Sequence, residues 1–494
     1  MTARGAETEL AIVGAGPAGM AAAVVAAEHG ASVTVIDEQP AAGGQYLRQP
    51  PREFGVRNWL GGPTYEAGKT LLERAESLTN VSWHLRTSVA GLLRREMPDR
   101  GFEVILDRYP IGDQDSLTTL EAETVLLAPG CFDMPVMFPG WNLPGVMAGG
   151  GIQAFIKSQQ FVPGNRFLFV GSHPLQLIIA DQILQAGGEV AGVLFSQSRA
   201  RALALLAHPG VMLANRDKLW QTAEIIGRLK KAGVPVEFSQ TLVSANGAEK
   251  LESVTVAPVA RDGTVRATQS KPIACDRLGV CFSFLASSEL ARMAGARSRW
   301  HASRGGLIAE ASAEQCSSID GLYVAGEITG VSGAEVAALE GEVAGYHIMA
   351  SLGKLPPQRA QSLAGSVQRR LKKARGFADL LNRLAWPGQA LLDSLMKASV
   401  TLCKCEEVTV GDVETMLTAN PHIRTANAAK LLSRTGMGLC QGRYCHAALT
   451  RLIARHRGIP EDAVGEFTAR FPSKPVGIDQ LIELGRSQDN MSTD

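Results

Sequence analysis

Four of the eight cysteines fall in one short segment near the end of the chain, as Cys403-Lys404-Cys405 and Cys440-Gln441-Gly442-Arg443-Tyr444-Cys445. The spacing is C-x-C followed by C-x4-C, with 34 residues between the pairs. Four soft thiolates brought together suit either zinc or a [2Fe–2S] cluster. Structural zinc sites favour C-x2-C knuckles, which neither pair has. Gly436, Gly438 and Gly442 flank the second pair, and the amides of a glycine loop can hydrogen-bond cluster sulfurs and tune their potential. A helix starting near Cys445 would add the positive end of its dipole beside an anionic cluster. Cys403, Cys405, Cys440 and Cys445 therefore read as iron–sulfur ligands ahead of zinc, with reduced, unligated thiols as the remaining reading. Cys131, Cys275, Cys281 and Cys316 are scattered, the usage of small buried hydrophobes in a reducing compartment.

A second chemistry is written at the start of the chain. An apolar strand from Leu10 to Val13 runs into Gly14-Ala15-Gly16-Pro17-Ala18-Gly19, an Ala-rich helix, and a strand from Val33 to Ile36 that ends in Asp37. This is the βαβ dinucleotide-binding order. Gly14 makes the tight turn, Gly16 lets backbone approach a pyrophosphate at the helix N-terminus, and Gly19 lets helix and strand pack closely. Asp37, with Glu38 as its neighbour, is placed to take a ribose hydroxyl. Gly43-Gly44-Gln45 forms a loop that can pass the same ligand. The uncharged run from Leu10 to Ala27 is long enough to raise a membrane span, but its three glycines and proline favour a buried strand and helix.

The elements that position these groups follow in order. Alternating segments at Val81–Leu93 and Phe102–Leu106 suggest an antiparallel meander laid on the first domain. The strand Thr124–Leu127 ends in a turn at Gly130 and leads to Pro139-Gly140-Trp141-Asn142-Leu143-Pro144-Gly145, a punctuated crossing between domains. A second strand-turn-helix unit starts at Phe167, but His173 and Gln176 stand where its second and third glycines belong, and no acid ends its return strand. A side chain at His173 blocks the close approach that a pyrophosphate needs, so nucleotide binding is not expected there. The chain returns through Leu322–Val324 to Gly326-Glu327, with Gly333 and Ala334 opening a helix that suits a second contact with an extended cofactor. A basic amphipathic helix around 368–384 reads as a linker docked on its own protein. The boundaries expected are 1–160 with 300–352 for the first nucleotide domain, 161–299 for the degenerate second, 353–397 for the linker, 398–457 for the cysteine domain and 458–494 for a tail.

With 494 residues, 45% of them hydrophobic, and a net charge of +1, the chain is an ordinary globular protein of two or three domains with no pull toward nucleic acid. Met1–Thr8 is short and polar and no leader or integral membrane segment is read, so a cytoplasmic location is expected, with peripheral attachment to the inner membrane as the variant. The nine histidines are scattered, and no nucleophile set or hydrolase metal motif is found, so no catalytic residue is assigned.

Gly14–Gly19, Gly43-Gly44-Gln45, Pro139–Val146 and Leu322–Glu327 resemble the two-dinucleotide-domain flavoproteins of the thioredoxin and glutathione reductase type. Cys403–Cys445 resembles the [2Fe–2S] domain of bacterioferritin-associated ferredoxins. Together they are similar to the α (A) subunits of opine oxidases, hydrogen cyanide synthase, and D-hydroxyproline and dye-linked L-proline dehydrogenases. The resemblance implies an α/β fold with two Rossmann-like domains and a small, mostly helical cluster domain. It implies FAD, or another adenine nucleotide such as NAD or ATP, held by Gly14, Gly16, Pro17, Ala18, Gly19, Asp37, Glu38, Gly43, Gly44, Gln45, Gly130, Gly326, Glu327, Gly333 and Ala334. It also implies a glycine-oxidase-like flavoprotein β subunit that oxidises a C–N bond, a further partner in the form of a small γ subunit, and FMN at the subunit interface passing electrons to the cluster. Two departures stand out: no redox C-x-x-C lies beside the flavin position, and Gly326-Glu327 replaces the reductases' Gly-Asp. The rival readings are a self-contained NAD(P)H-dependent reductase and a structural or iron-sensing module.

Overall fold

The apolar strand at the start of the chain forms as β1 (Ala6–Val13), turns through the glycines into α1 (Pro17–Glu28) and returns as β2 (Val33–Ile36), parallel to β1 from Leu10↔Val33 to Val13↔Ile36. The computed structural model describes residues 6–56, 61, 63–95, 101–108 and 117–491, so the first five residues of the polar start and the last three of the tail lie outside the described residues. Every residue of β2 is buried, as expected for a parallel strand covered on both faces. Val81–His84 differs from the meander expected of it and continues the parallel sheet beyond β2. The antiparallel part starts only at Thr87–Arg94, which pairs with Phe102–Arg108.

Leu117–Leu127 lies on the other side of β1 and forks the sheet. Its first half takes Phe102–Arg108 antiparallel along one edge, and on the same edge its last residues take Leu322–Val324 in parallel. One strand thereby joins the early chain to a segment nearly two hundred positions later. Ala334–Ser351 then packs along α1. The crossing is close because a Cβ at Gly341 would lie 2.0 Å from the Ala18 carbonyl oxygen, and only glycine fits there.

The second sheet has five parallel strands in the order Val236–Phe238, Glu189–Phe195, Arg166–Gly171, Arg277–Cys281 and Val146–Ala148. The chain passes between the two sheets at Cys131–Asp133 and Phe284–Ala286, which pair antiparallel. Both crossings lie before the 160/161 and 299/300 boundaries drawn from sequence, because Val146–Ala148 and the helix Gly149–Gln159 belong with the second sheet.

The linker is one long helix, Pro357–Ala385, followed by the short helix Gln389–Leu395; the buried positions Ala360, Ala364, Val367, Leu371 and Ala374 of the long helix repeat every three or four residues. It lies across both nucleotide domains. Arg375 pairs with the fully buried Glu340 at 2.6 Å, Arg304 reaches Asp379 at 3.4 Å, and the carbonyls of Leu384 and Ala385 accept the Gln197 amide. The cysteine segment forms a small unit of two short strands, Thr401–Cys403 and Val408–Thr409, and the helices Val410–Ala419, Ala426–Ser433 and His446–Arg457. The first helix opens on a reciprocal cap between Thr409 and Asp412. Leu402, Cys403, Leu449 and Leu452 share one apolar core with Leu168, Val170, Leu242 and Leu278, so the unit is fused to the second domain.

The tail after 457 is a strap that packs back on the body. Phe467 covers the cysteine loop, Ser473 donates through its backbone N–H to Ala90 and through its hydroxyl to Val89, and Leu484 of the helix Ile478–Met491 is buried on Ala90, Ile105 and Leu117. Among the described residues no helix is long and apolar enough to cross a membrane.

Candidate nucleotide site and cysteine box

The glycine turn holds its shape by excluding side chains. A Cβ at Gly14, whose φ is +106°, would stand 2.2 Å from the Ala128 carbonyl oxygen, and one at Gly19 would stand 1.9 Å from that of Gly14. Gly16 is different: the nearest atom to a Cβ there is Gly44 Cα at 4.0 Å. Gly16 thus presents bare backbone at the start of α1, where Pro17 occupies the first turn and no side chain caps the helix. Gly43-Gly44-Gln45 lies against this turn, with the Gly43 N–H donating to Ala15 O at 2.8 Å. A Cβ on Gly44 would meet Gly16 Cα at 2.8 Å. The free helix N-terminus, the bare Gly16 and a buried Arg48 Nε without a partner fit an anionic pyrophosphate.

Asp37 is drawn into this scaffold. Its carboxylate accepts the N–H groups of Ala15 at 2.6 Å and Gln39 at 2.7 Å. Burial pushes its pKa up, against those hydrogen bonds and the nearby Arg48 and Lys474 charges. Glu38, exposed beside it, pairs with Lys474 of the C-terminal strap. Lys157 reaches in from the second domain and donates to the carbonyls of Gln45 and Tyr46 at 3.3 and 3.1 Å. Burial, reinforced by the Arg48 charge, pushes the Lys157 pKa down to about 7.

The return corner is equally self-contained. Gly326 has φ +81°, and its N–H donates to Glu340 at 2.8 Å; the same carboxylate oxygen accepts the Thr329 hydroxyl. Glu327 accepts the N–H groups of Ser332 and Gly333, both at 2.8 Å, just ahead of the helix that opens at Ala334. Partial burial pushes its pKa up to about 7. Each of its oxygens accepts one backbone N–H. Gly130 and Gly333, each with positive φ, have open space where a side chain would be.

The degenerate second turn is closed by its own residues. His173 is edge-on to Phe284 at 5.0 Å, and its Nδ1 accepts the Leu175 N–H at the head of the helix Leu175–Gln185. Burial pushes its pKa down to about 4, so the ring is neutral. Ser196 stands directly after the return strand, where a ribose-binding acid would be, and its neighbour Gln197 donates to Ser172 O at 2.6 Å and to the end of the linker helix. Arg201 donates to Arg383 O, and Arg199 lies over the Phe238 ring.

At the cysteine box the four thiols converge. Cys403 and Cys445 interact directly, as do Cys405 and Cys440, and Cys405 also feels the charge of Cys403 and Cys445 that of Cys440. The Cys445 thiol, the Gly436 amide and the amides that follow Cys403 favour the Cys403 thiolate, whose pKa lies down at about 5. Among the described residues no three His, Cys, Asp or Glu side chains are gathered to hold one metal ion. Two facing pairs are instead what a two-iron rhomb with two cysteines on each iron requires, so the donor set fits a [2Fe–2S] cluster better than zinc. Gly438 lets the pairs close, since a Cβ there would lie 2.0 Å from Cys405 Cβ. Gly436 and Gly442 admit the Phe467 ring. Cys445 caps the helix His446–Arg457, placing its N-terminus at the box.

Lys157, Glu340, Gln197, Phe467 and Lys474 join these sites without a signal in the local sequence. Each acts across a long sequence separation. Only the lack of an acid after Phe195 points to the altered role of the Gln197 region.

The fold and the two sites define a nucleotide-binding oxidoreductase of flavoprotein type with a fused [2Fe–2S] module. The family model for pyridine nucleotide-disulphide oxidoreductases matches residues 8–341, and that for the BFD-like [2Fe-2S] binding domain matches 401–455. Hydrogen cyanide synthase subunit HcnB of Pseudomonas aeruginosa is 32% identical over 481 residues, covering 96% of this chain and 98% of that protein. The A-type subunit of opine oxidase from Agrobacterium tumefaciens is 31% identical, covering 96% and 92%. The crystal structure of L-proline dehydrogenase from P. horikoshii superposes with a TM-score of 0.68 at 21% identity over 96% of this chain and 79% of that one, a likeness of fold. The chain belongs to the family that holds the A-type subunits of opine oxidases and the HcnB subunits of hydrogen cyanide synthases.

Proposed function

We propose that the chain is the electron-transfer subunit of a hetero-oligomeric dehydrogenase or oxidase acting on the C–N bond of an amino acid, imino acid or opine. Substrate oxidation takes place in a glycine-oxidase-like flavoprotein partner, and a small γ subunit completes the complex. The observation that carries this reading is the contrast between two neighbouring sites: the four cysteines face one another as interacting pairs, while the second nucleotide turn is filled by His173 and pinned to the linker by Gln197. A self-contained NAD(P)H reductase needs that second site open. Oxidoreductase subunits among the relatives support the assignment to a complex.

The first site would hold FAD or another adenine nucleotide through Gly14, Gly16, Pro17, Ala18, Gly19 and the Gly43-Gly44-Gln45 loop, with Asp37 bracing the turn. Cys403, Cys405, Cys440 and Cys445 would hold the cluster. An open cleft beside the cysteine box is lined by Phe132, Trp300 and Phe467 with Lys430, Arg443 and Arg470. Aromatic walls and cations of this kind suit an isoalloxazine and a phosphate, which supports FMN shared with the partner. FMN, when bound, supplies one-electron steps between a two-electron donor and the cluster. The setting proposed is the cytoplasm, with peripheral attachment to the inner membrane as the variant.

The test is anaerobic purification of the chain with and without its partner flavoprotein, with flavin, iron, sulfide and zinc analysis, EPR, and turnover of candidate amines. Iron and sulfide near about two per chain, and turnover only with the partner, are expected. Turnover by the lone chain, or rapid bleaching of its flavin by NADH or NADPH, would overturn the proposal.

A further inference from the structure

The stretch Pro139–Val146 reads in sequence as a crossing between domains, yet its tryptophan is used elsewhere. Trp141 is only 6% exposed, and its indole N–H donates to Thr401 O at 2.7 Å, two residues before the first cysteine of the box. Lys404, the residue between Cys403 and Cys405, lays its ammonium over the Trp141 ring at 4.1 Å from the centroid. The Tyr444 ring, one residue before Cys445, lies 6.2 Å from Trp141 and 5.7 Å from the same ammonium. One lysine is therefore held between an aromatic of the oxidoreductase body and one of the cysteine loop.

We propose that Trp141 and Tyr444 are positioning residues that hold the Lys404 charge against the iron–sulfur site and thereby raise its reduction potential. This inference rests on the iron–sulfur reading of the cysteine box. A lysine side chain has four rotatable bonds and, at the surface, would spread its charge into solvent. A cation over an indole face is attracted by the ring quadrupole, which restricts the ammonium to one place. A fixed positive charge favours the reduced cluster, which is one unit more negative than the oxidised one. Trp141 also ties this charge to the body, so docking of the cysteine unit and the electrostatics at the box depend on one side chain.

The test is the midpoint potential of the cluster, read by EPR-monitored redox titration of the purified full chain. Lys404→Met is expected to make the cluster about fivefold harder to reduce, a fall of ~40 mV at ~59 mV per tenfold for one electron, and 1 M salt should shrink the difference. Lys404→Arg, which keeps both charge and stacking, should restore the wild-type value. Trp141→Leu keeps the charge but frees it, and should lower the potential by part of the Lys404→Met effect. An unchanged potential in either Lys404→Met or Trp141→Leu refutes the proposal. Should Lys404→Met fail to load iron, Trp141→Leu decides: a lowered potential supports the proposal and an unchanged one overturns it. Failure of the underlying reading is separately visible, because the wild-type chain would then carry no iron and sulfide at all.

Discussion

Two kinds of helical glycine in this chain should respond to alanine with opposite signs. At Gly341 a Cβ would sit 2.0 Å from the Ala18 carbonyl oxygen and 2.8 Å from Ala18 Cα, both backbone atoms of α1. Relief to an ordinary contact needs a separation more than ~1 Å larger, which the backbone of two packed helices must supply. Overpacking of this kind costs roughly 1–3 kcal/mol, whereas alanine in place of glycine in a helix returns about 1 kcal/mol. The clash is with rigid main chain, so the upper half of the range applies and Gly341→Ala should destabilise by about 1–2 kcal/mol net. Gly365 and Gly376 lie inside the linker helix with nothing within 4 Å of a Cβ. There only the propensity remains, and each alanine should stabilise by about 0.5–1 kcal/mol. Urea unfolding followed by far-UV circular dichroism measures both, at constant slope. Because Gly341 sets the spacing of α1 against the helix that follows Gly326-Glu327, its variant should also retain less bound nucleotide after gel filtration. Equal stability of Gly341→Ala and Gly365→Ala would refute the reasoning.

Further predictions concern buried charge and the cysteine loop. Glu340→Ala removes the acceptor of the Gly326 N–H and Thr329 hydroxyl and the partner of Arg375; a loss of about 3–5 kcal/mol in urea melts is expected, with Glu340→Gln milder. The raised Glu327 pKa, about 7 against 4.5, means that the folded state binds the extra proton. This group should therefore cost stability progressively as pH rises from about 4.5 through 7, and Glu327→Gln should flatten that slope. His173 has the opposite sign: its folded pKa of about 4 lies below 6.5, so stability is lost as pH falls through that window, and His173→Gln should blunt the acid-side loss. Unchanged slopes in either variant would discard the corresponding assignment. Gly438→Ala puts a methyl group on Cys405 and should leave iron and sulfide below half of the wild-type content by colorimetric analysis, while thermal unfolding of the remainder shifts little.

The backbone scaffold is legible in the sequence because its signals are local. Gly14, Gly16 and Gly19 dictate a turn from their own spacing, and β2 is apolar throughout because both faces are covered. The cysteine spacing similarly brings four thiols together without knowledge of what lies between them. What local sequence does not convey is the use of groups whose partners lie elsewhere. Asp37 and Glu327 read as ligand contacts, and the sequence does not show that their oxygens also accept backbone N–H groups nearby. The type and position of an acid do not say which donor it meets first. Val81–His84 suggests a meander because a four-residue run carries no sign of strand direction. Trp141 stands out as punctuation, but its partner Thr401 is 260 residues away.

The strap at the end of the chain has a consequence for biosynthesis. The first sheet draws on residues 6–127, closes with Leu322–Val324, and is covered by the helix Ile478–Met491. A nascent chain emerging from the ribosome therefore displays Thr87–Arg94 and Phe102–Arg108 long before their last covering layer exists. The pairing of such distant segments slows folding and exposes apolar surface to aggregation in the meantime. Expression of the nucleotide portion alone, stopped at the linker, would leave Ala90 and Ile105 uncovered.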